Sequence, residues 1–312
     1  MSPLPPRPCS PPAKSRIPWI TIKDLLWLLY LYPGRWLARL GVLKLIQRAA
    51  ETMFQIIARP RKPEVMRRLV PAFGPAAPLP DLQSVADRFI ANAVRQAFDD
   101  LALAQTEGFV HCHAFKGREH LDAALKAGKG VLLAGLHWYA GRAGNRYLAS
   151  IGYPVMSVRN EEPLDKRMGR VGRRLFQPRY VRFLHEVIRD EVFIQDRECS
   201  LKILARLRKG GIVHVLLDAF LSQQNLEVPF LGQTRLFPAG PLHLARISGC
   251  AVLPMCALGH AQALEILIGP PLPLDYSLDA ESFCQTHLPA LVRILESYVL
   301  EHPDQWELWT KL

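Results

Sequence analysis

Gly128-Lys129-Gly130-Val131-Leu132-Leu133-Ala134-Gly135-Leu136-His137 is the stretch on which the fold turns. Its first glycine stops a helical pattern over Arg118–Ala127, and an apolar run follows that ends on a histidine. A run this short, apolar on both faces and opened by glycine, predicts a buried strand over Gly130–Leu136. Similar runs at Phe109–Phe115, Pro154–Arg159, Ile212–Asp218, Ala251–Leu258 and Leu264–Ile268 read as further strands. Helical spacing fills the gaps. Asp81–Leu103 sets Leu82, Val85, Phe89, Ala93, Ala97 and Leu101 on one stripe, and a last helix runs from about Ala280 to Glu301. Strands alternating with helices predict an α/β domain with a largely parallel central sheet flanked by helices. Sites in such sheets lie beyond the carboxyl ends of the strands, where this chain has His137, Arg159 and Asp218.

The apolar fraction, 49%, is too high for a disordered chain, and 312 residues are enough to bury a sizeable core. Cys9, Cys112, Cys199, Cys250, Cys256 and Cys284 have no paired spacing, so they read as reduced thiols in a cytosolic setting. His111-Cys112-His113 puts two histidines on one face of a strand, but no further ligand sits at metal spacing, and an ordinary strand is the simpler reading.

The net charge of +11 is unevenly placed: residues 1–72 hold 13 Lys/Arg against 3 Asp/Glu, and the rest of the chain is nearly balanced. Seven prolines within residues 3–18 predict a disordered tail over 1–20. Residues 21–70 then read as a membrane-associating helical segment. The apolar run Leu25-Leu26-Trp27-Leu28-Leu29-Tyr30-Leu31-Tyr32 stops at Pro33-Gly34, and the apolar residues beyond it are broken by Arg35, Arg39, Lys44 and Arg48. A helix of about 12 residues reaches only about 18 Å of the roughly 30 Å bilayer core, so a broken hairpin or interfacial anchor is expected ahead of a tilted span. Basic residues interleaved with Leu, Trp and Tyr favour a membrane surface over nucleic acid. The late apolar run and the lack of an A-x-A site argue against a signal peptide. Pro71–Pro80 reads as a linker, opening an α/β domain over 71–312.

A histidine at a strand end, beside Trp138 and Tyr139, fits a general base at the mouth of an apolar slot; a packed histidine bonded to backbone fits as well. Other chemistries lack their motifs. No G-x-S-x-G elbow is present, and no strand leads into G-x-G-x-x-G.

The block at 128–137 resembles the histidine block of the bacterial lipid A biosynthesis (lauroyl/myristoyl) acyltransferases, within the wider lysophospholipid and glycerolipid acyltransferases. The resemblance continues in order. Pro154-Val155-Met156-Ser157-Val158-Arg159-Asn160 is similar to a strand ending in a substrate-binding arginine. Leu207–Ile212 and the strand to Asp218 resemble the next block. Val228-Pro229-Phe230-Leu231-Gly232 and Phe237-Pro238-Ala239-Gly240-Pro241 resemble the acyl-site loop and the helix start after it. Val252-Leu253-Pro254 and the C-terminal His302-Pro303-Asp304-Gln305-Trp306 complete a resemblance over about residues 21–310.

The resemblance implies transfer of a fatty acyl chain from an acyl thioester, on acyl carrier protein or coenzyme A, to a hydroxyl of a lipid or glycolipid. It implies His137 as base, Arg159, Asn160, Phe237, Pro238 and Gly240 as substrate-binding residues, no cofactor or metal, and the cytoplasmic face of the inner membrane. One position departs from the pattern H-x-x-x-x-D/E: five residues after His137 stands Arg142, which cannot accept an imidazole N–H. Asp218, at a neighbouring strand end, is the first candidate for the missing acid, followed by Glu161 and Glu162; Asp218 reads equally as a turn or N-cap residue. Arg142 is then free to hold an anion of donor or acceptor. Alternatively, the loss of the acid marks a lipid-binding relative without catalysis. The basic stretch Arg159–Arg189 suits a phosphate-bearing acceptor or the acidic surface of an acyl carrier protein, although a solvated helix face accounts for most of its charge.

Overall fold

The computed structural model of the chain describes residues 18–21, 24, 25, 28, 62–73, 82–104, 110–160, 168–218 and 224–311. The expectations for the proline-rich tail before Pro18, for most of 21–58, and for Glu161 and Glu162 lie outside these residues.

Two helices, α1 (Lys62–Phe73) and α2 (Leu82–Leu103), lead into the sheet. The strands and helices then alternate: β1 (Cys112–Lys116), α3 (Arg118–Lys126), β2 (Val131–Gly135), α4 (Gly141–Ser150) and β3 (Val155–Arg159). A π-helical turn at Gly172–Phe176 opens α5 (Gln177–Ile188), followed by β4 (Glu191–Phe193), α6 (Cys199–Arg208) and β5 (Ile212–Leu216). After the hairpin β6 (Asn225–Phe230) and β7 (Gln233–Pro238) come α7 (Gly240–Ser248), β8 (Ala251–His260), β9 (Ala263–Ile268) and α8 (Ala280–Glu301).

Seven strands form the main sheet in the order β1-β9-β8-β2-β5-β3-β4, and every neighbouring pair is parallel except β8 and β9. This is the mostly parallel α/β sheet expected. The reversal at β8–β9 follows from a tight turn whose Ala261 N–H is held by Asp99 Oδ2 at 2.7 Å. All five residues of β2 are buried, as a central strand covered on both faces requires. One face carries Leu132, Ala134 and Leu136, packed with α1, α6, α7 and α8; the other carries Val131 and Leu133, packed with α3, α4 and α5. Helix α8 begins on an N-cap, with Asp279 Oδ1 accepting from the N–H groups of Glu281 and Ser282. Among the described residues no helix is long and apolar enough to cross a membrane.

The antiparallel hairpin β6–β7 replaces the loop expected around Val228–Gly232, and Phe237 and Pro238 end β7, so the helix start expected at Phe237–Pro241 begins at Gly240. Pro229 discourages a strand reading, but in a two-stranded ribbon both strands are edges, and an edge tolerates a missing N–H. Strand β4 is too short to show any period in the sequence.

Candidate active site

The register of the two central strands builds the site. β2 and β5 run parallel with Gly135 opposite Leu216, and Leu217 N–H donates to Gly135 O at 2.9 Å. Two residues further along each chain, His137 and Asp218 meet. The His137 ring lies with Nδ1 2.7 Å from Asp218 Oδ1, and the His137 backbone N–H donates to Asp218 Oδ2 at 2.9 Å. A carboxylate only accepts, so Nδ1 carries a proton, and in the neutral ring Nε2 is the nitrogen that can accept one. The Asp218 side chain is 1% exposed and that of His137 24%, so the acid is sealed while the imidazole is open to a reactant.

A third residue completes the arrangement. Trp306 Nε1 donates to Asp218 Oδ2 at 2.7 Å. Trp306 is fully buried, held in edge contacts by Phe230 and Trp309 at centroid distances of 5.6 and 5.0 Å. The C-terminal segment clamps the histidine loop: Tyr139 N–H donates to Gln305 O at 3.0 Å and Glu307 N–H to His137 O at 2.8 Å. Burial by itself raises the pKa of Asp218. The charge of His137 and the hydrogen bonds from His137 and Trp306 outweigh it and hold the carboxyl below its ordinary range.

Beneath this pair lies a histidine that the sequence reading passed over. His214, on β5, is buried, and its Nε2 has no hydrogen-bond partner among the described residues. A Cβ on Gly135 would sit 2.8 Å from that nitrogen, so glycine is what makes room for the ring. Burial, and after it the nearby charge of His137, lower the His214 pKa to about 4 against the pull of Asp218, so the ring is neutral at physiological pH.

Arg142 has a partner of its own. Its Nη1 donates to Asp100 Oδ2 on α2 at 2.7 Å, and the Asp100 side chain is almost fully buried. Burial raises the Asp100 pKa to about 6 although Arg142 pulls it down, so desolvation outweighs the ion pair. Arg159 ends β3, as expected, and donates to Glu191 Oε2 at 2.6 Å; Glu191 also bonds His185 Nδ1. Asn160 is exposed and accepts from Gln195 Nε2. Phe237 is buried against Phe230 and so stands behind Trp306, Pro238 ends β7, and Gly240 opens α7. The structure thus brings His137 and Asp218 into contact and links Arg142 and Arg159 through the field each exerts on Asp100. Among the described residues no group of three His, Cys, Asp or Glu side chains is arranged to hold a metal ion.

A histidine paired with a buried carboxylate at the carboxyl end of a parallel sheet lies where sites in such sheets are found. The sequence pattern of the bacterial lipid A biosynthesis acyltransferases matches residues 84–311, and the chain belongs to that family, whose members transfer acyl groups. A lipid A biosynthesis acyltransferase of Haemophilus influenzae is 25% identical over 232 residues, which is 72% of this chain and 67% of that protein. A phosphatidylinositol mannoside acyltransferase of Mycobacterium tuberculosis is 25% identical over 194 residues, or 62% of this chain and 57% of that protein. The chain therefore spans little more than half the length of the mycobacterial relative.

Proposed function

We propose that this protein transfers a fatty acyl chain from an acyl thioester, on acyl carrier protein or coenzyme A, to a hydroxyl of a lipid or glycolipid, with His137 as general base. The contact that carries the reading is His137 Nδ1 on Asp218 Oδ1 at 2.7 Å. In this mechanism Nε2 takes the proton of the acceptor hydroxyl as the oxygen attacks the thioester carbonyl, forming the C–O bond. The C–S bond then breaks and the thiol leaves with a proton, while Asp218 keeps the ring oriented and stabilises its transient positive charge. Arg159 and Arg142 contribute positive charge for an anionic group of donor or acceptor, beyond their contacts with Glu191 and Asp100. Asp218 supplies from a neighbouring strand the acid that position 142 lacks, and this favours catalysis over a lipid-binding relative that has lost it.

The reaction is proposed to run at a membrane surface, on the cytoplasmic face of the inner membrane. Trp19, Ile20, Leu25 and Leu28 are exposed, and the Arg170 guanidinium lies 5.4 Å over the Trp19 ring. Apolar and basic groups side by side suit an anionic lipid interface. The test incubates the purified full-length chain with acyl carrier protein or coenzyme A thioesters and phosphorylated glycolipid acceptors, and reads the products by mass spectrometry. An acceptor heavier by one acyl chain is expected. Free fatty acid alone, or unchanged substrates with every pair, would contradict the reading.

A further inference from the structure

Arg235 faces inward from an otherwise apolar surface. In the hairpin register it lies opposite Val228, and as residue i against i+2 it shares a strand face with Phe237. Val228 and Phe237 are both buried, and Phe237 reaches Trp306 through Phe230. Arg68 belongs to the inward half of α1, between the fully buried Val65 and Leu69. The hairpin turn rests on the end of that helix, since a Cβ on Gly232 would stand 3.1 Å from Pro71 O. Both arginines are partly buried, and neither has a hydrogen bond or ion pair among the described residues.

Two partly buried cations with no ion pair of their own among the described residues cost free energy in the empty protein. Burial disfavours the charge of Arg235 most, Asp218 favours it, and Arg68 disfavours it, so the three groups lie within electrostatic reach of one another. Asp218 makes no contact ion pair with Arg235 among the described residues, and its oxygens receive three donors from His137 and Trp306. An anion with several acceptor oxygens satisfies two planar guanidinium forks at once, and a phosphate does this best. A half-buried pair admits a slim phosphate more readily than the broad acidic face of a protein.

We propose that Arg235 and Arg68 form a phosphate-binding site beside Asp218, separate from Arg142 and Arg159, that holds a phosphate of the acyl donor or of the acceptor. The identity of the substrates rests on the acyl-transfer reading, but phosphate binding itself is measurable without turnover. The experiment is thermal unfolding of the full chain with inorganic phosphate, against chloride at equal ionic strength, for the wild type, Arg235→Gln and Arg68→Gln. A ligand that binds the folded state raises its melting temperature. The wild type is expected to be stabilised by phosphate specifically. Each glutamine variant is expected to be at least as stable as the wild type without phosphate, because a partly buried charge and its repulsion are removed, and to bind phosphate about tenfold or more weakly. Arg235→Lys keeps the charge but loses the fork, so an intermediate response is expected. Phosphopantetheine compared with pantetheine, and a sugar phosphate compared with the same sugar, assign the site to donor or acceptor. A wild type that treats phosphate as it treats chloride, or glutamine variants that respond as the wild type does, would overturn the proposal. A phosphate response without detectable acyl transfer would uphold this site and count against the acyl-transfer reading alone.

Discussion

Asp218 bonds His137 twice, through the ring Nδ1 at 2.7 Å and through the backbone N–H at 2.9 Å, although the two residues are 81 positions apart in the chain. One carboxylate therefore fixes both the tautomer of the ring and the path of the loop that carries it. Asp218→Asn keeps the volume but removes the charge, and its amide offers a donor where the ring needs an acceptor. The turnover rate is expected to fall by about 10²–10⁴-fold with the fold retained, as in other acid-supported histidine sites. Single-turnover kinetics together with circular dichroism check this, and a folded Asn variant of near wild-type rate would remove Asp218 from the mechanism.

Trp306→Phe tests the indole N–H apart from the ring packing. A hydrogen bond to a charged group is worth about 1.5–3 kcal/mol, so a rate loss of about tenfold or more is expected. With one donor gone, the carboxylate holds the His137 proton more strongly. The acidic limb of the pH–kcat/KM profile should then move to higher pH. A purely structural role for the indole would lower the melting temperature and leave that limb in place.

Arg142→Glu sets a second carboxylate against the buried Asp100 in place of its guanidinium partner. Breaking a buried pair by replacing one member costs about 3–5 kcal/mol, so a clear fall in melting temperature and in activity is expected. Adding Asp100→Arg should restore part of the stability, which a double-mutant cycle would measure. Acyl transfer that appears only in Arg142→Glu, from an inactive wild type, would instead favour a lipid-binding role for the native chain.

The buried titratable groups give the stability a pH dependence with two signs. The folded pKa of His214 is about 4, below its unfolded value, so its share of stability is present above pH 6.5 and is lost as pH falls toward 4. That loss amounts to at most roughly 3 kcal/mol, and His214→Gln should flatten it. Burial raises Asp99 to about 7, and its share is present below the unfolded pKa and lost as pH rises through 7. Asp99→Asn still accepts from Ala261 N–H. Its advantage over the wild type should grow from pH 4 and level off above pH 7, at roughly 4 kcal/mol at most. Denaturant midpoints measured from pH 4 to 8 test both signs.

Much of this was legible in the sequence because β2 and β5 are short apolar runs that each end two residues before a polar side chain. Parallel pairing of β2 with β5 makes His137 and Asp218 neighbours, but the strand order that sets these two side by side, and so decides between an acid and a turn residue at Asp218, was not legible. Trp306 stood in a recognisable C-terminal block, but nothing local ties an indole to a carboxylate 88 positions earlier. The roles of Asp100, His214 and Arg235 were not legible, because each depends on which element packs over it. Arg142 looked unpaired only because its partner lies on α2, outside its own motif. The hairpin was hidden by Pro229, a residue that disfavours a strand unless that strand is an edge.

The central claim is that His137 takes the proton of the acceptor hydroxyl, and single-turnover acyl transfer by the wild type and by folded His137→Ala tests it most directly. Enzyme in excess over the acyl thioester removes product release from the measurement. The acyl-transfer rate is expected to fall by about 10²–10⁴-fold in the variant while binding of the thioester is unchanged. A folded His137→Ala protein that transfers the acyl chain at the wild-type rate would contradict it.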